Sequence, residues 1–357
     1  MGYCLMIKEV LSRVEITYQT FRDVCYEWEE VVSKYFGVPI RQVFVASKPP
    51  QKKGVVKSLK KVAKNALLSI PALRRVIWDS RNPALMQNIT LPLSIYFAMN
   101  HRELSVCIGN NCIPILLDVF TDWELSEVIR RIGKLKLFYV TSRDVYNRIR
   151  IIDSYSNVRY MPLSIADKYH SENFANYRNK YIDVCMPGRG NPVLHEYMLR
   201  YAGENKNIKY VYRRNFGNRE YASTNGNILL QATDRESYMN LLASSKVSIV
   251  GCSGIDNARE DTNGVCFVTP RFYESAVVGC SLIGRYPDNQ EFRELNMSRY
   301  CPNITSYDQF VRELERALAI APEELYAQNR DFILNSLTSK RAEQIQKDLE
   351  ELTCQNS

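Results

Sequence analysis

The chain is poor in the residues that build metal and redox sites. It has three histidines in 357 residues, and none of its ten cysteines forms a CxxC pair. This argues against a zinc ribbon or a thioredoxin-type centre. Most of the cysteines sit in apolar runs, the setting of buried free thiols in a reducing compartment. Long hydrophobic runs are also missing. The longest uncharged stretch, 82–101, is broken by Pro83, Asn88, Pro92 and Asn100, which makes a poor transmembrane helix. Lys8 and Glu9 interrupt the start before an adequate apolar region, so no secretory signal is expected. The expected body is soluble and cytoplasmic.

Acid is missing from one place. Between Val31 and Trp78 there is no Asp or Glu, where the chain average would give about five. Eleven of the 47 basic residues fall in that stretch. The remainder then carries 36 basic against 39 acidic residues, so a +8 chain divides into a +11 segment and a −3 body.

What is present is an α/β pattern. Residues 14–36 read as a helix ending at Gly37, followed by a short strand at 43–46. Apolar runs at 93–98, 104–108, 113–117 and 137–140 read as buried strands, with a helix at 122–132 among them. Residues 162–180 are polar and irregular and read as a linker. A second series has strands at 182–186, 208–212, 228–231, 247–250, 266–268 and 282–283. Its helices fall at 192–202, 235–244, 271–278 and 307–319, and Pro322 opens a last helix to about 352. Strands alternating with helices predict two doubly wound, Rossmann-like sheets with a ligand cleft between them. The expected division is 1–165, 180–322 and a final helix at 323–357.

Two turns carry chemistry. Pro187-Gly188-Arg189-Gly190-Asn191 follows the first strand of the second half. Its glycines permit a tight turn and close backbone approach, and the next helix offers free N–H groups to an anion. Arg189 adds a forked phosphate donor. The second turn is Thr269-Pro270-Arg271, opening a helix that carries Glu274 in its first turn. A nucleoside diphosphate needs a cation for phosphate and a carboxylate for the ribose hydroxyls, and this turn supplies both.

The stretch TPRFYESAVVGCSLIG, 269–284, resembles the R-F-x-E-x-x-A-x-G signature of GT-B glycosyltransferases of the group-1 kind. Within them it looks most like the spore-maturation-protein-like transferases of bacterial surface-polysaccharide loci. The resemblance spans about 182–283 and covers the first half only as a loose α/β pattern. It implies two Rossmann-like domains facing a cleft, with the last helix crossing back to the first domain. It implies a sugar moved from a nucleoside diphosphate sugar to a glycan acceptor, suitably lipid-linked. Glu274 matches the glutamate that binds donor ribose, Arg189 the pyrophosphate-binding arginine, and Arg271 would face the same diphosphate. The loop 251–259, with Gly254, Asp256 and Arg259, would lie near the donor sugar. Gly188 and Thr269 complete the expected donor site. Many group-1 enzymes carry a second glutamate eight residues before the ribose-binding one, and here that position is Cys266. No metal or other cofactor is expected, because helix dipoles and basic side chains neutralise the leaving diphosphate. An inverting enzyme needs a base from the first half, with Asp118, His101 and Asp122 as candidates. A retaining one does not, and the stereochemistry stays open. A non-hydrolysing nucleotide-sugar epimerase and a non-catalytic GT-B-like binding protein are the alternatives.

The basic segment has its own pattern. On a helix through 53–70, Val55, Val56, Leu59, Val62, Ala63, Ala66, Leu67 and Ile70 fall within an arc of about 140°. Lys53, Lys57, Lys60, Lys61 and Lys64 face the other way. With Pro71, Arg74, Arg75, Ile77 and Trp78 alongside, residues 48–78 predict docking on an anionic membrane surface. That would place the protein peripherally on the inner face of the plasma membrane. No nucleic-acid module accompanies the segment, and nucleic acid is not an expected partner.

Overall fold

The computed structural model describes residues 7–13, 20–43, 84–132, 135–153, 157–171, 177, 180–215, 220–224, 228–232, 234–252, 254–256 and 262–355. The basic segment with Lys53, Lys57, Lys60, Lys61 and Lys64, and also Arg259, lie outside the described residues.

The first sheet contains β1 (Ile7–Arg13), β2 (Ile40–Val43), β3 (Leu93–Asn100), β4 (Cys112–Asp118), β5 (Phe138–Val140) and β6 (Val158–Tyr160). Their order is β2-β1-β3-β4-β5-β6, with every pairing parallel. The central strands are apolar on both faces, as a sheet covered on both sides requires. On β3, Ile95 and Phe97 pack toward Trp28 and Val24 of α1 (Thr20–Phe36). The alternate residues Tyr96 and Ala98 join Leu125 and Val128 of α2 (Asp122–Ile132), and Val145 and Ile149 of α3 (Arg143–Ile152).

The second sheet contains β7 (Ile182–Met186), β8 (Tyr210–Asn215), β9 (Glu220–Ser223), β10 (Ile228–Gln231), β11 (Ser245–Gly251) and β12 (Ser281–Arg285), in the order β10-β9-β8-β7-β11-β12. Strands β7, β8, β11 and β12 run parallel, while β8, β9 and β10 form an antiparallel edge. Helices α4 (Pro192–Glu204), α5 (Arg235–Ala243), α6 (Pro270–Val277), α7 (Gln290–Glu294), α8 (Met297–Tyr300) and α9 (Tyr307–Ala319) accompany it. One continuous buried apolar cluster runs from Trp28 and Phe97 in the first half to Phe272 and Tyr273 in the second.

The chain ends in α10 (Pro322–Asn335) and α11 (Thr338–Gln355). Phe332 of α10 stacks on Tyr273 and Tyr300 at 5.3 and 5.0 Å, within the second half. Helix α11 returns to the first. Gln346 accepts from the Tyr35 hydroxyl at 2.8 Å, and Asp348 from the Tyr139 hydroxyl at 2.8 Å.

The single helix expected from Pro322 onward is therefore two. The break is held by the linker: Ile165 N–H donates to the Ser336 carbonyl at 2.9 Å, and Thr338 N–H to the Ile165 carbonyl at 3.0 Å. The strand expected at 104–108 is instead a 3₁₀ turn, His101–Cys107. Glu103 fixes that turn by accepting from Arg13 at 2.7 Å, Arg22 at 3.1 Å and the Met99 N–H at 3.0 Å. The strand expected at 266–268 also fails to form. Side chains take its backbone bonds instead, with Glu291 accepting from Val268 N–H at 2.9 Å and Asn289 donating to the Cys266 carbonyl at 3.0 Å. Most of the described cysteines are buried free thiols, as expected, with one pair as the exception. Cys252 and Cys266, whose Cα atoms lie 5.4 Å apart, form a disulfide. Six of the seven described free cysteines are buried.

Candidate active site

The carboxyl ends of the two sheets face each other across a cleft of roughly 340 Å³. Val24, Cys25 and Trp28 of α1, Met99 from β3, and Leu117 and Asp118 from β4 form one wall. The opposite wall comes from the turn after β7, the edge strands, and the N-terminal ends of α5 and α6.

The turn after β7 is built for close approach. Gly188 has φ +63°, a left-handed value that costs an L-residue about 1–2 kcal/mol. Its N–H donates to the Tyr221 hydroxyl at 2.8 Å. Asn191 then caps α4 by accepting from Leu194 N–H at 3.0 Å. Gly188 and Arg189 both line the cleft, and Arg189 is exposed in it.

At the other turn, Thr269 is the N-cap residue of α6 and Pro270 its first residue. This follows the usual rule that proline is pre-organised for a first helical turn. Arg271 reaches back across the β7 turn. Its guanidinium donates to the carbonyls of Arg189 and of Gly251, the latter at 3.2 Å, and to the Thr269 hydroxyl at 3.4 Å. Among the described residues no carboxylate pairs with it. Burial pulls its pKa below the usual arginine value. A guanidinium does not give up its proton in a protein. Arg271 is thus a desolvated cation held by backbone dipoles and open to an anion.

Glu274 is 3% exposed and lines the cleft. Arg235 Nη1 donates to its Oε1 at 2.5 Å, and the Tyr238 hydroxyl donates to its Oε2 at 2.9 Å. Each carboxylate oxygen has two lone pairs, so both retain capacity for a hydroxyl donor. Arg235 also donates through Nε to Glu27 of α1 at 3.1 Å. Glu27 in turn pairs with Lys168 at 2.9 Å and accepts from the Tyr169 hydroxyl. The Glu27–Arg235–Glu274 chain therefore links the two halves at the cleft.

The remaining candidates separate. Asp118, the last residue of β4, lines the cleft. His101 does not. Its buried ring sits edge-on to Trp123 at 5.0 Å with Nδ1 3.5 Å from Glu124, and burial lowers its pKa. Asp122 lies at the start of α2, with its side chain 82% exposed and paired to Arg148. The reason is positional. Only Asp118 ends a strand that points at the cleft, while the other two belong to elements folded away from it.

Gly254 and Asp256 also fall outside the cleft lining. A Cβ on Gly254 would strike the Val265 carbonyl oxygen, which explains the glycine by packing alone. Asp256 accepts from Arg285 at 2.5 and 3.1 Å and from Asn191 Nδ2 at 2.8 Å. Burial raises its pKa, but these bonds more than offset it and hold the carboxyl below the ordinary range. Its visible work is to tie the loop after β11 to β12 and the α4 cap.

Sequence reasoning missed Glu27, Arg213, Tyr221, Asp234, Arg235 and Tyr238. Five of these line the cleft, and Glu27 stands behind it. Asp234 did leave a local signal, since it caps α5 in a capping box with Ser237. Pairings of Arg235 with residues 39 and 208 positions away leave none.

No protein-family model matches the chain, and no curated protein sequence does. Solved structures are similar to it. The N-terminal domain of trehalose-6-phosphate phosphatase from Candida albicans superposes with a TM-score of 0.54 at 10% identity, over 98% of this chain and 97% of that one. The chain shares the fold of that structure, here two Rossmann-like α/β sheets. The S. aureus protein TarM, in complex with fondaparinux, α-GlcNAc-glycerol and UDP, gives a TM-score of 0.47 at 10% identity over 72% of this chain. The chain spans about half of TarM's length, 55%. UDP-GlcNAc 2-epimerase from Methanocaldococcus jannaschii gives 0.44 at 8% identity, over 89% of this chain and 94% of that one.

Proposed function

We propose that the protein is a glycosyltransferase that moves a sugar from a nucleoside diphosphate sugar to a hydroxyl of a growing glycan. The observation that carries this reading is Arg271, a half-buried cation with no carboxylate partner among the described residues, set against a glycine turn in an interdomain cleft. Arg271 and Arg189 stabilise the charge that develops on the leaving diphosphate, joined by the positive end of α6. Glu274, fixed by Arg235 and Tyr238, receives the ribose hydroxyls. These arginines do the neutralising work that a divalent cation would otherwise do, so turnover is expected to survive a chelator. Should the reaction invert configuration, Asp118 is the base.

The resemblance of 269–284 to group-1 and spore-maturation-like transferases supports a role in surface-polysaccharide synthesis, with a lipid-linked acceptor. The charge division supports docking of 48–78 on the inner face of the plasma membrane, and no described helix is long and apolar enough to cross one. Flotation with anionic liposomes tests the docking. Wild type should float, and the variant with Lys57, Lys60, Lys61 and Lys64 changed to Glu should not.

The activity itself is tested by incubating the protein with UDP- and GDP-sugars, with and without glycan acceptors. Diphosphate release that depends on an acceptor supports the reading. Turnover of the sugar with no acceptor present identifies an epimerase instead, and no turnover with any donor removes the enzymatic reading.

A further inference from the structure

A second cavity of roughly 480 Å³ lies further along the interdomain seam, between α3 and the segment that leads from β12 into α7. Cys266 lines it and the next residue, Phe267, lines the cleft. The stacking of Phe267 on Phe120 at 6.3 Å belongs to the partition between them.

The walls hold charges, but these are satisfied internally. Arg143 is paired with Glu294 at 2.5–2.8 Å, and Arg148 with Asp122 and, at 3.8 Å, with Asp144. Glu291 accepts from the backbone N–H groups of Arg143 and Val268, both at 2.9 Å. Four amides also line the cavity, Asn147, Asn263, Asn289 and Gln290. Asn289 is engaged by the Cys266 carbonyl at 3.0 Å and the Phe292 N–H at 3.1 Å, and Gln290 donates to Glu294 at 2.7 Å, so the walls' free amide capacity is chiefly that of Asn147 and Asn263. Asn147 Nδ2 donates to Gln290 Oε1 at 2.8 Å, and its Oδ1 accepts from no described residue. Asn263 is exposed at φ 50°, a left-handed conformation that asparagine tolerates, and its amide has no hydrogen bond to any described residue.

An amide both donates and accepts, and so does a hydroxyl. Walls whose charges are already paired give an anion little extra attraction. The cavity volume lies within the range of small-ligand sites. The geometry points to a binding site for a neutral oligosaccharide, formed jointly by α3 and the β12–α7 segment. On the transferase reading above, it holds the acceptor glycan beyond the sugar that reacts.

The test uses the whole protein with neutral trisaccharides, maltotriose and chitotriose, and a heparin-derived tetrasaccharide as the anionic probe. Saturation-transfer NMR and titration calorimetry give the affinities. A neutral trisaccharide should bind, at least five-fold more weakly to Asn147→Ala/Gln290→Ala and to Asn263→Ala. UDP and GDP affinities should stay within two-fold in those variants. Glu274→Ala should leave trisaccharide binding unchanged, which separates this site from the cleft and the failure of one from the failure of the other. The proposal is overturned if neither trisaccharide binds, if the anionic probe binds more tightly, or if the amide variants bind like wild type.

Discussion

Arg235 is the side chain on which the cleft's geometry depends most. It joins two carboxylates that are nearly dry, Glu27 with 7% of its side chain exposed and Glu274 with 4%, and is itself 13% exposed. Replacing it with Met keeps the bulk and removes the charge. Breaking a buried pair by removing one partner costs about 3–5 kcal/mol, because the charge left behind stays desolvated. Here the lower end applies. Glu27 keeps Lys168 at 2.9 Å, and Glu274 keeps the Tyr238 hydroxyl at 2.9 Å. Arg235→Met should therefore lose about 3 kcal/mol, read from urea unfolding followed by the fluorescence of Trp28 in the cleft wall. The loss should couple to Glu27→Gln in a double-mutant cycle by about 1 kcal/mol or more, since the two residues share one network. Arg235→Lys should fall between Met and wild type. A Met variant within about 0.5 kcal/mol of wild type would refute this reasoning. Strict additivity with Glu27→Gln would show that the link between the halves contributes nothing.

Burial raises Glu291 to about 7 and Glu29 to about 8, both from 4.5. The folded chain therefore holds protons that the unfolded chain has released, so the contribution of these two groups to stability is full below about pH 4.5 and is lost as pH rises through 7 and 8. The urea midpoint should be higher at pH 5.5 than at 8.5, with the difference reduced in Glu29→Gln and Glu291→Gln, and a midpoint that rises over this interval contradicts the assignment. Glu9, held at about 2 chiefly by Arg41, acts only below pH 4.5 and in the opposite sense. Gly254→Ala would drive a Cβ onto the Val265 carbonyl and within 2.6 Å of the Gly264 carbonyl carbon. It should cost about 1–3 kcal/mol by thermal or urea unfolding, and a neutral substitution would show that the loop after β11 is free to move aside.

Much of the architecture is legible because it rests on local periodicity. The helices at 122–132 and 307–319 and the strand at 182–186 begin and end where their patterns do. Strand β1 is hidden because Lys8, Glu9 and Arg13 interrupt its apolar run, and its charges are answered far away. Glu9 accepts from Arg41 at 2.7 Å and from Ser94 at 2.8 Å. The break at Ser336 and Leu337 is equally non-local, since it depends on Ile165. In the cleft, motif reasoning reaches residues that stand beside a glycine or proline turn: Gly188, Arg189, Thr269, Arg271 and Glu274 all line it. It cannot reach Arg235, whose role comes from two distant partners. It does not reach the bonds that Asp256 makes to Arg285 and Asn191, outside the residues lining the cleft.

The central claim is that the Arg271–Glu274 turn and the Gly188–Arg189 turn hold a nucleoside diphosphate. Titration calorimetry of UDP and GDP against wild type, Arg271→Ala and Glu274→Ala tests it most directly, with circular dichroism to show that each variant is folded. The account predicts saturable binding of at least one nucleotide by wild type, weakened ten-fold or more by each substitution. Equal affinity in all three folded proteins, or no binding of either nucleotide to wild type, would contradict it.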